Sequence, residues 1–148
     1  MVGYVFQINT YPFREEEIMT SDDYIENNLI GSVMSNLYDV NLSDITEEFL
    51  EEMKKYATVD KKEKSLIFNE KAKKEYFQKG YAKFKDFINC ITFKDFCSDS
   101  MKISLLKNII DYRYGDYVFK DYFLTFDSFM RELTPGIKYY LGGIVGYK

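Results

Sequence analysis

Clusters of carboxylates are the groups in this sequence with the most evident capacity for chemistry. They stand as adjacent pairs and triplets toward the N-terminus, at Glu15-Glu16-Glu17, Asp22-Asp23, Glu47-Glu48 and Glu51-Glu52. Such oxygen ligands suit Mg²⁺ or Ca²⁺, but the ligand spacing of a calcium-binding EF-hand loop is absent, and Mg²⁺ usually also needs a substrate phosphate. We therefore interpret the clusters as solvated helix faces, and we predict neither a metal site nor a cofactor.

Histidine is absent from all 148 residues, which excludes Ser-His-Asp and Cys-His nucleophiles, histidine zinc sites and imidazole acid–base chemistry. The two cysteines, Cys90 and Cys97, lie seven positions apart, and two thiolates alone do not complete a tetrahedral zinc site. Cys90 falls within an apolar helical pattern, so we expect it to be a small buried side chain rather than a nucleophile. Reduced thiols are usual in the cytoplasm, which is the compartment we predict.

Nucleotide-binding glycine motifs are also missing. The order GxxxxGK[ST] does not occur, and the glycines at 142, 143 and 146 lack the GxGxxG spacing and a following helix. Tyrosine and aspartate flank Arg113 between Asp111 and Tyr117 and could form a polar cluster, but no base is specified beside a tyrosine. We predict that the protein is not an enzyme, with a carboxylate- or tyrosine-based enzyme as the alternative.

Charge is strongly segregated along the chain. Residues 1–52 contain twelve acidic side chains and one basic side chain, a net charge of −11, whereas residues 53–148 contain twelve acidic and nineteen basic side chains, a net charge of +7. The total of −4 hides this asymmetry. Such a distribution steers association with charged partners.

The first functional hypothesis assigns the acidic residues of the N-terminal part to one protein-binding face. That face would bind, and in one form of the hypothesis inhibit, a basic protein such as one that handles nucleic acid, in the manner of small mobile-element or phage inhibitors. The side chains assigned to it are Asp22, Asp23, Glu26, Glu47, Glu48, Glu51 and Glu52.

The alternative hypothesis is a nucleic-acid-binding module on a helix predicted over 70–91. Lysines for phosphate contacts are interleaved there with the stacking rings of Tyr76, Phe77, Tyr81 and Phe84. The lysines assigned to it are Lys71, Lys73, Lys74, Lys79 and Lys83. A third possibility is purely structural, because the acidic and basic halves can neutralise each other within one monomer.

The hydrophobic pattern places these residues on a series of helices and strands. Alternation predicts a strand over 2–11, and apolar residues three and four apart predict helices from Thr20 or Ser21 to Tyr38 and from Ser43 to Tyr56. Further along, we predict a loop over 58–64, a strand over 65–68, the helix 70–91, a helix from Ser98, a strand over 116–124, a short helix capped by Thr125 or Asp127, and a strand over 137–147.

These elements predict a single α+β domain over residues 1–148. Four or five helices would pack on one face of a small sheet that pairs the N-terminal and C-terminal strands. A length of 148 residues with 46% hydrophobic residues is ordinary for one globular domain. No apolar run reaches the roughly 18 to 20 residues that a spanning helix needs, so we predict no membrane association.

Overall fold

The computed structural model describes residues 3–26, 36–98, 106, 113 and 115–148. Its strands form one mixed sheet in the order β3-β4-β7-β1-β5-β6. The strand β2 also pairs with β7, at residues 145–147, whereas β4 pairs with residues 138–140 of the same strand. The strands are β1 (Gly3–Asn9), β2 (Leu37–Asp39), β3 (Ala57–Asp60), β4 (Ser65–Phe68), β5 (Tyr117–Phe119), β6 (Phe123–Thr125) and β7 (Lys138–Tyr147).

Five helices lie within the described ranges. They are α1 (Ser21–Glu26), α2 (Leu42–Met53), α3 (Ala72–Cys90), α4 (Phe93–Ser98) and α5 (Phe126–Glu132), and a 3-10 turn spans Glu15–Glu17. Asn41 caps α2 by accepting the Asp44 N–H, two residues earlier than the predicted cap at Ser43. Thr125 caps α5, as predicted, by accepting the Ser128 N–H.

The two terminal strands form the centre of the sheet. β1 and β7 pair antiparallel from Gly3 opposite Tyr147 to Asn9 opposite Tyr140. On its other side β1 pairs in parallel with β5. This arrangement confirms the predicted α+β class and the predicted pairing of the N-terminal and C-terminal strands.

The sheet buries side chains on both of its faces. Phe6 of β1 and Ile144 of β7 face a core that includes Phe49 of α2, together with residues of α3 and α5. Val5 and Val145 face the other way and pack with Tyr24 of α1. The helices therefore lie on two faces of the sheet rather than on one.

Several predicted elements differ from the observed ones. Leu37 and Tyr38, predicted to end a helix, belong to β2, because they pair with an edge of β7 that β4 leaves open. The predicted loop 58–64 begins with β3, which pairs with β4 as a hairpin. The predicted strand 116–124 is two short strands, β5 and β6, which pair with each other around a tight turn.

Two predictions fall on positions that the structure does not describe. Most of the helix predicted after Ser98 covers 99–105 and 107–112, and part of the helix predicted before Tyr38 covers 27–35. These parts of the predicted helices lie outside the described residues.

Candidate functional site

The exposed side of α2 carries four carboxylates. Its buried side, which includes Phe49, Leu50 and Met53, packs against the sheet and fixes the orientation of the helix. The exposed carboxylates follow one another at intervals of three, one and three residues, so they share one helix face. We call this set the acidic ridge: Asp44, Glu47, Glu48 and Glu51.

Two lysines neutralise part of the acidic ridge. Lys61 Nζ lies 3.0 Å from Glu51 Oε2 and 3.4 Å from Glu47 Oε1, and Lys54 Nζ lies 2.7 Å from Glu51 Oε2. Hydrogen bonds from Lys54 and then Lys61 lower the pKa of the Glu51 carboxyl. The ridge and these two lysines together carry a net charge of −2. Lys54 and Lys61 belong to the basic part of the chain (53–148), so the two parts of the chain neutralise each other here to this extent, although no lysine of α3 pairs with the ridge within the described residues.

The seven acidic residues predicted to form one face do not share a surface. Asp22, Asp23 and Glu26 belong to α1, which packs on the opposite side of the sheet from α2. Asp23 Oδ2 accepts hydrogen bonds from the Thr20 N–H at 2.7 Å and from the Thr20 hydroxyl at 3.1 Å. Asp23 therefore stabilises the start of α1.

Glu52 follows the ridge along α2 but points into a different environment. It accepts a short hydrogen bond from Arg113 Nη2, and only 33% of its side chain is exposed. Arg113 Nη1 donates to Asp116 Oδ2 at 2.6 Å, so one guanidinium joins α2 to the residue preceding β5. The Arg113 side chain is 11% exposed.

A cleft of about 270 Å³ opens beside this ion-pair network. Tyr4 of β1 and Ile45 of α2 line it, together with Glu48, Glu52, Arg113 and Asp116. Asp116 Oδ1 accepts the Tyr4 N–H at 3.0 Å. Burial raises the pKa of the Asp116 carboxyl and nearby Glu52 adds to the effect, although Arg113 and the Tyr4 N–H oppose it.

The lysine-rich helix is less buried than its pattern predicts. Apolar residues continue at helical spacing toward the C-terminal end, at Phe84, Phe87, Ile88 and Ile91, and would be expected to pack inward. The buried residues of α3 are instead Ala72 and Tyr76, at its N-terminal end. Phe84 and Ile88 are exposed, as is Tyr81 at 64%. The sequence pattern could not show that the core covers only the N-terminal end of this helix.

The lysines predicted to bind nucleic acid lie along α3, except Lys71, which is its N-cap residue. Lys73 Nζ donates to the Arg131 carbonyl, whereas Lys71, Lys74, Lys79 and Lys83 are exposed. The exposed rings continue beyond α3 onto α4, where Phe93 is 82% and Phe96 is 65% exposed.

Both cysteines are exposed and free, which corrects the prediction that Cys90 is buried. Cys90 is the last residue of α3, beyond the region of the helix that the core covers.

The cleft was only partly anticipated by the sequence. Arg113 and Asp116 fall in the polar cluster suggested from their spacing, and they do pair. Glu52 was assigned to the exposed face, since nothing local marks it as the partner of an arginine 61 positions away.

Comparison with protein-family models, with curated proteins and with solved structures finds no match. Within the described part of the chain, no helix has the length and apolar character needed to cross a membrane. The same residues contain no group of three or more acidic or cysteine side chains arranged to hold a metal ion.

Proposed function

We propose that the protein is a non-enzymatic interaction protein that binds a basic protein partner through the acidic ridge of α2. A nucleic-acid-handling protein is one such partner, and occupying its basic surface would inhibit it. The observation that carries the proposal is the ridge itself, with four exposed carboxylates on one side of a helix whose other side is packed into the core.

After the internal ion pairs are counted, the ridge still carries a net negative charge that a partner could bind. Asp44 and Glu48 make no ion pair with any described residue, and the two lysines at Glu47 and Glu51 are themselves exposed. Exposed ion pairs contribute little stability, so a partner's basic groups can compete with Lys54 and Lys61 at small cost. The free carboxylates and the paired ones thus form a surface complementary to a basic patch.

Asp22, Asp23 and Glu26 are not part of this proposal's binding surface, because α1 lies on the other face of the sheet. Glu52 is excluded from the exposed ridge because it is committed to Arg113. The proposal therefore narrows the predicted acidic face to one helix.

The test is capture from native host lysate at two salt concentrations, with and without nuclease. The wild type is compared with Asp44→Lys/Glu47→Lys, two ridge residues that do not line the cleft at Glu48, and with the control Glu15→Lys/Glu16→Lys, which changes charge equally at exposed sites away from the ridge. We expect a stoichiometric protein that resists nuclease, is released at high salt, and is lost only with the ridge variant. Retention by the ridge variant would contradict the proposal.

A second candidate function, nucleic-acid binding on α3, is favoured by the exposed rings beside its lysines. Lys85 Nζ lies 5.6 Å from the centroid of the exposed Tyr81 ring, and Arg131 lies 4.4 Å from that of Phe77. Aromatic stacking and phosphate neutralisation together bind single strands without sequence preference.

Fluorescence anisotropy with a labelled single-stranded oligonucleotide tests this candidate. We expect affinity that falls steeply with salt and is weakened by Lys79→Glu/Lys83→Glu, but much less by the control Lys55→Glu/Lys62→Glu. Equal losses in both variants would show that only net charge matters.

An enzyme is the weakest of the three proposals. Asp116 is the partly buried carboxyl that carboxylate chemistry would use, but its oxygens already accept from Arg113 and from the Tyr4 N–H. A cytoplasmic location is proposed on the two free thiols, since both are exposed and unpaired.

A further inference from the structure

The cleft between β1 and α2 begins where the acidic ridge ends. Glu48 borders both features, because its side chain belongs to the ridge and also lines the cleft. A partner seated on the ridge would therefore meet the mouth of the cleft. At about 270 Å³ the cleft is smaller than the roughly 300 to 1,000 Å³ usual for small-molecule sites, but it has room for one long side chain.

The charges that line the cleft favour a cation. Three carboxylates, those of Glu48, Glu52 and Asp116, face one guanidinium, that of Arg113, so the lining has a net charge of −2. Arg113 is occupied by Glu52 and Asp116, whereas Glu48 has no ion-pair partner among the described residues. A further positive group would stabilise the ionised form of Asp116, which burial disfavours.

The walls of the cleft are suited to an organic cation rather than to a metal ion. The Arg113 guanidinium lies 5.3 Å from the ring centroid of Phe49 and 5.6 Å from that of Phe6, two residues that also line the cleft. The site thus already combines carboxylates and aromatic rings around a guanidinium. Among the described residues, no cluster of three or more acidic or cysteine side chains is arranged to hold a metal ion.

We propose that this cleft receives one lysine or arginine side chain of the basic partner, with Glu48 as its principal carboxylate and with Tyr4 and Ile45 against its aliphatic stem. The inference rests on the proposed function, since it names the group by which a basic partner inserts beside the ridge. The partner would then be recognised by one side chain at a defined position, in addition to the attraction between oppositely charged surfaces.

The test uses small probes and needs no partner. Amide NMR spectra of the full chain are recorded during titration with N-acetyl-arginine methylamide, N-acetyl-lysine methylamide and the uncharged N-acetyl-citrulline methylamide. We expect saturable shifts at Tyr4, Ile45 and Phe49 with at least one cationic probe and none with the citrulline probe. The two cationic probes distinguish a guanidinium from an ammonium ligand.

Two single-charge variants locate the binding. Glu48→Gln should weaken binding of the cationic probe about fivefold, the upper range for one exposed charge pair, while Glu15→Gln, at an exposed site outside both the ridge and the cleft, should change it less than twofold. Equal binding of the citrulline probe, absence of saturable shifts at the cleft, or an unchanged affinity in Glu48→Gln would overturn the inference. Because lysate capture depends on the ridge and the titration on the cleft, failure of one is distinguishable from failure of the other.

Discussion

The Tyr76 hydroxyl donates a 2.7 Å hydrogen bond to Asp127 Oδ1 in the interior of the protein, across 51 positions of sequence. Tyr76 lies in the first half of α3, and Asp127 lies in the first turn of α5. Both side chains are buried. The bond therefore fixes the direction in which α3 leaves the core, and with it the position of the exposed lysines and rings further along the helix.

Replacing Tyr76 by Phe should destabilise the protein by about 1.5 to 3 kcal/mol, because the buried Asp127 carboxylate loses a charge-assisted hydrogen bond. Urea unfolding monitored by circular dichroism measures the change. Tyr81→Phe serves as the control, since the Tyr81 ring is exposed on the same helix. A loss below about 0.5 kcal/mol in Tyr76→Phe, similar to the control, would mean that the bond has no net stabilising effect.

Gln7 connects the central strands to the segment that precedes α1. Its Oε1 accepts the N–H groups of Met19 at 3.0 Å and Gly143 at 2.8 Å, and its Nε2 donates to the Glu17 carbonyl at 2.9 Å. Gln7→Met keeps the volume but leaves these backbone groups without their partner, so we expect a loss of roughly 2 to 4 kcal/mol in the free energy of unfolding.

Gln78→Met is the matched control for that experiment, because Gln78 is exposed on α3 and its replacement should change stability by less than about 0.5 kcal/mol. Chemical denaturation compares the two variants. If Gln7→Met were as stable as wild type, water or a rearranged backbone would have to satisfy the freed groups.

Removal of the Tyr24 hydroxyl should not lower the stability of the protein and is expected to raise it. Its side chain is buried, and its hydroxyl has no hydrogen-bond partner among the residues that the structure describes. Tyr24→Phe should therefore be as stable as wild type or more stable by about 1 kcal/mol at neutral pH, which thermal unfolding measures. Marked destabilisation would indicate a hydrogen bond at that hydroxyl.

The advantage of Tyr24→Phe should grow in alkali. Burial, with a smaller effect of Asp23, raises the pKa of the Tyr24 phenol in the folded state above its unfolded value. The folded protein then holds a proton that the unfolded chain releases, so the wild type loses stability as the pH rises above about 10. Tyr11→Phe, an exposed control, should show no such pH-dependent gain.

The shifted pKa of the Asp116 carboxyl should make the stability of the protein depend on pH in the acidic range. Because burial raises its pKa in the folded state, the wild type should lose the corresponding stability as the pH rises from about 4, the unfolded value, through the raised value. Asp116→Asn cannot ionise, so its stability relative to wild type should increase over that window. Arg113 and Glu52 remain as the charged neighbours that set the size of the effect.

Urea unfolding at several pH values between about 3.5 and 7 measures the difference in the free energy of unfolding between the variant and wild type. Asp44→Asn is the exposed control, for which this difference should not change with pH. If the stability of Asp116→Asn relative to wild type stays constant or falls as the pH rises through this window, the ion pair with Arg113 outweighs burial.

The local sequence pattern was sufficient for the elements that carry their own periodicity. The alternation in β1, the apolar stripe and acidic face of α2, and the Thr125 cap of α5 all depend on residues a few positions apart, so they could be recognised without the fold. The pairing of β1 with β7 was predicted as the simplest arrangement of the first and last strands, and the structure confirms it.

Elements that depend on a distant partner could not be identified in this way. Leu37 and Tyr38 continue a helical pattern, yet they form β2 because an edge of β7 is available to them. The sequence likewise placed α1 and α2 on one acidic face, whereas the two faces of the sheet separate them.

What the sequence by itself determined is therefore the set of periodic elements, the α+β class and the uneven distribution of charge. Only the tertiary structure decided which charges remain exposed: it paired Glu52 with Arg113, left Glu48 at the mouth of a cleft, and let α3 run past the core with its rings uncovered. The physical reason is the separation along the sequence over which each interaction acts. Hydrophobic periodicity acts over a few residues, whereas ion pairs, burial and concave surfaces arise from contacts between residues tens of positions apart.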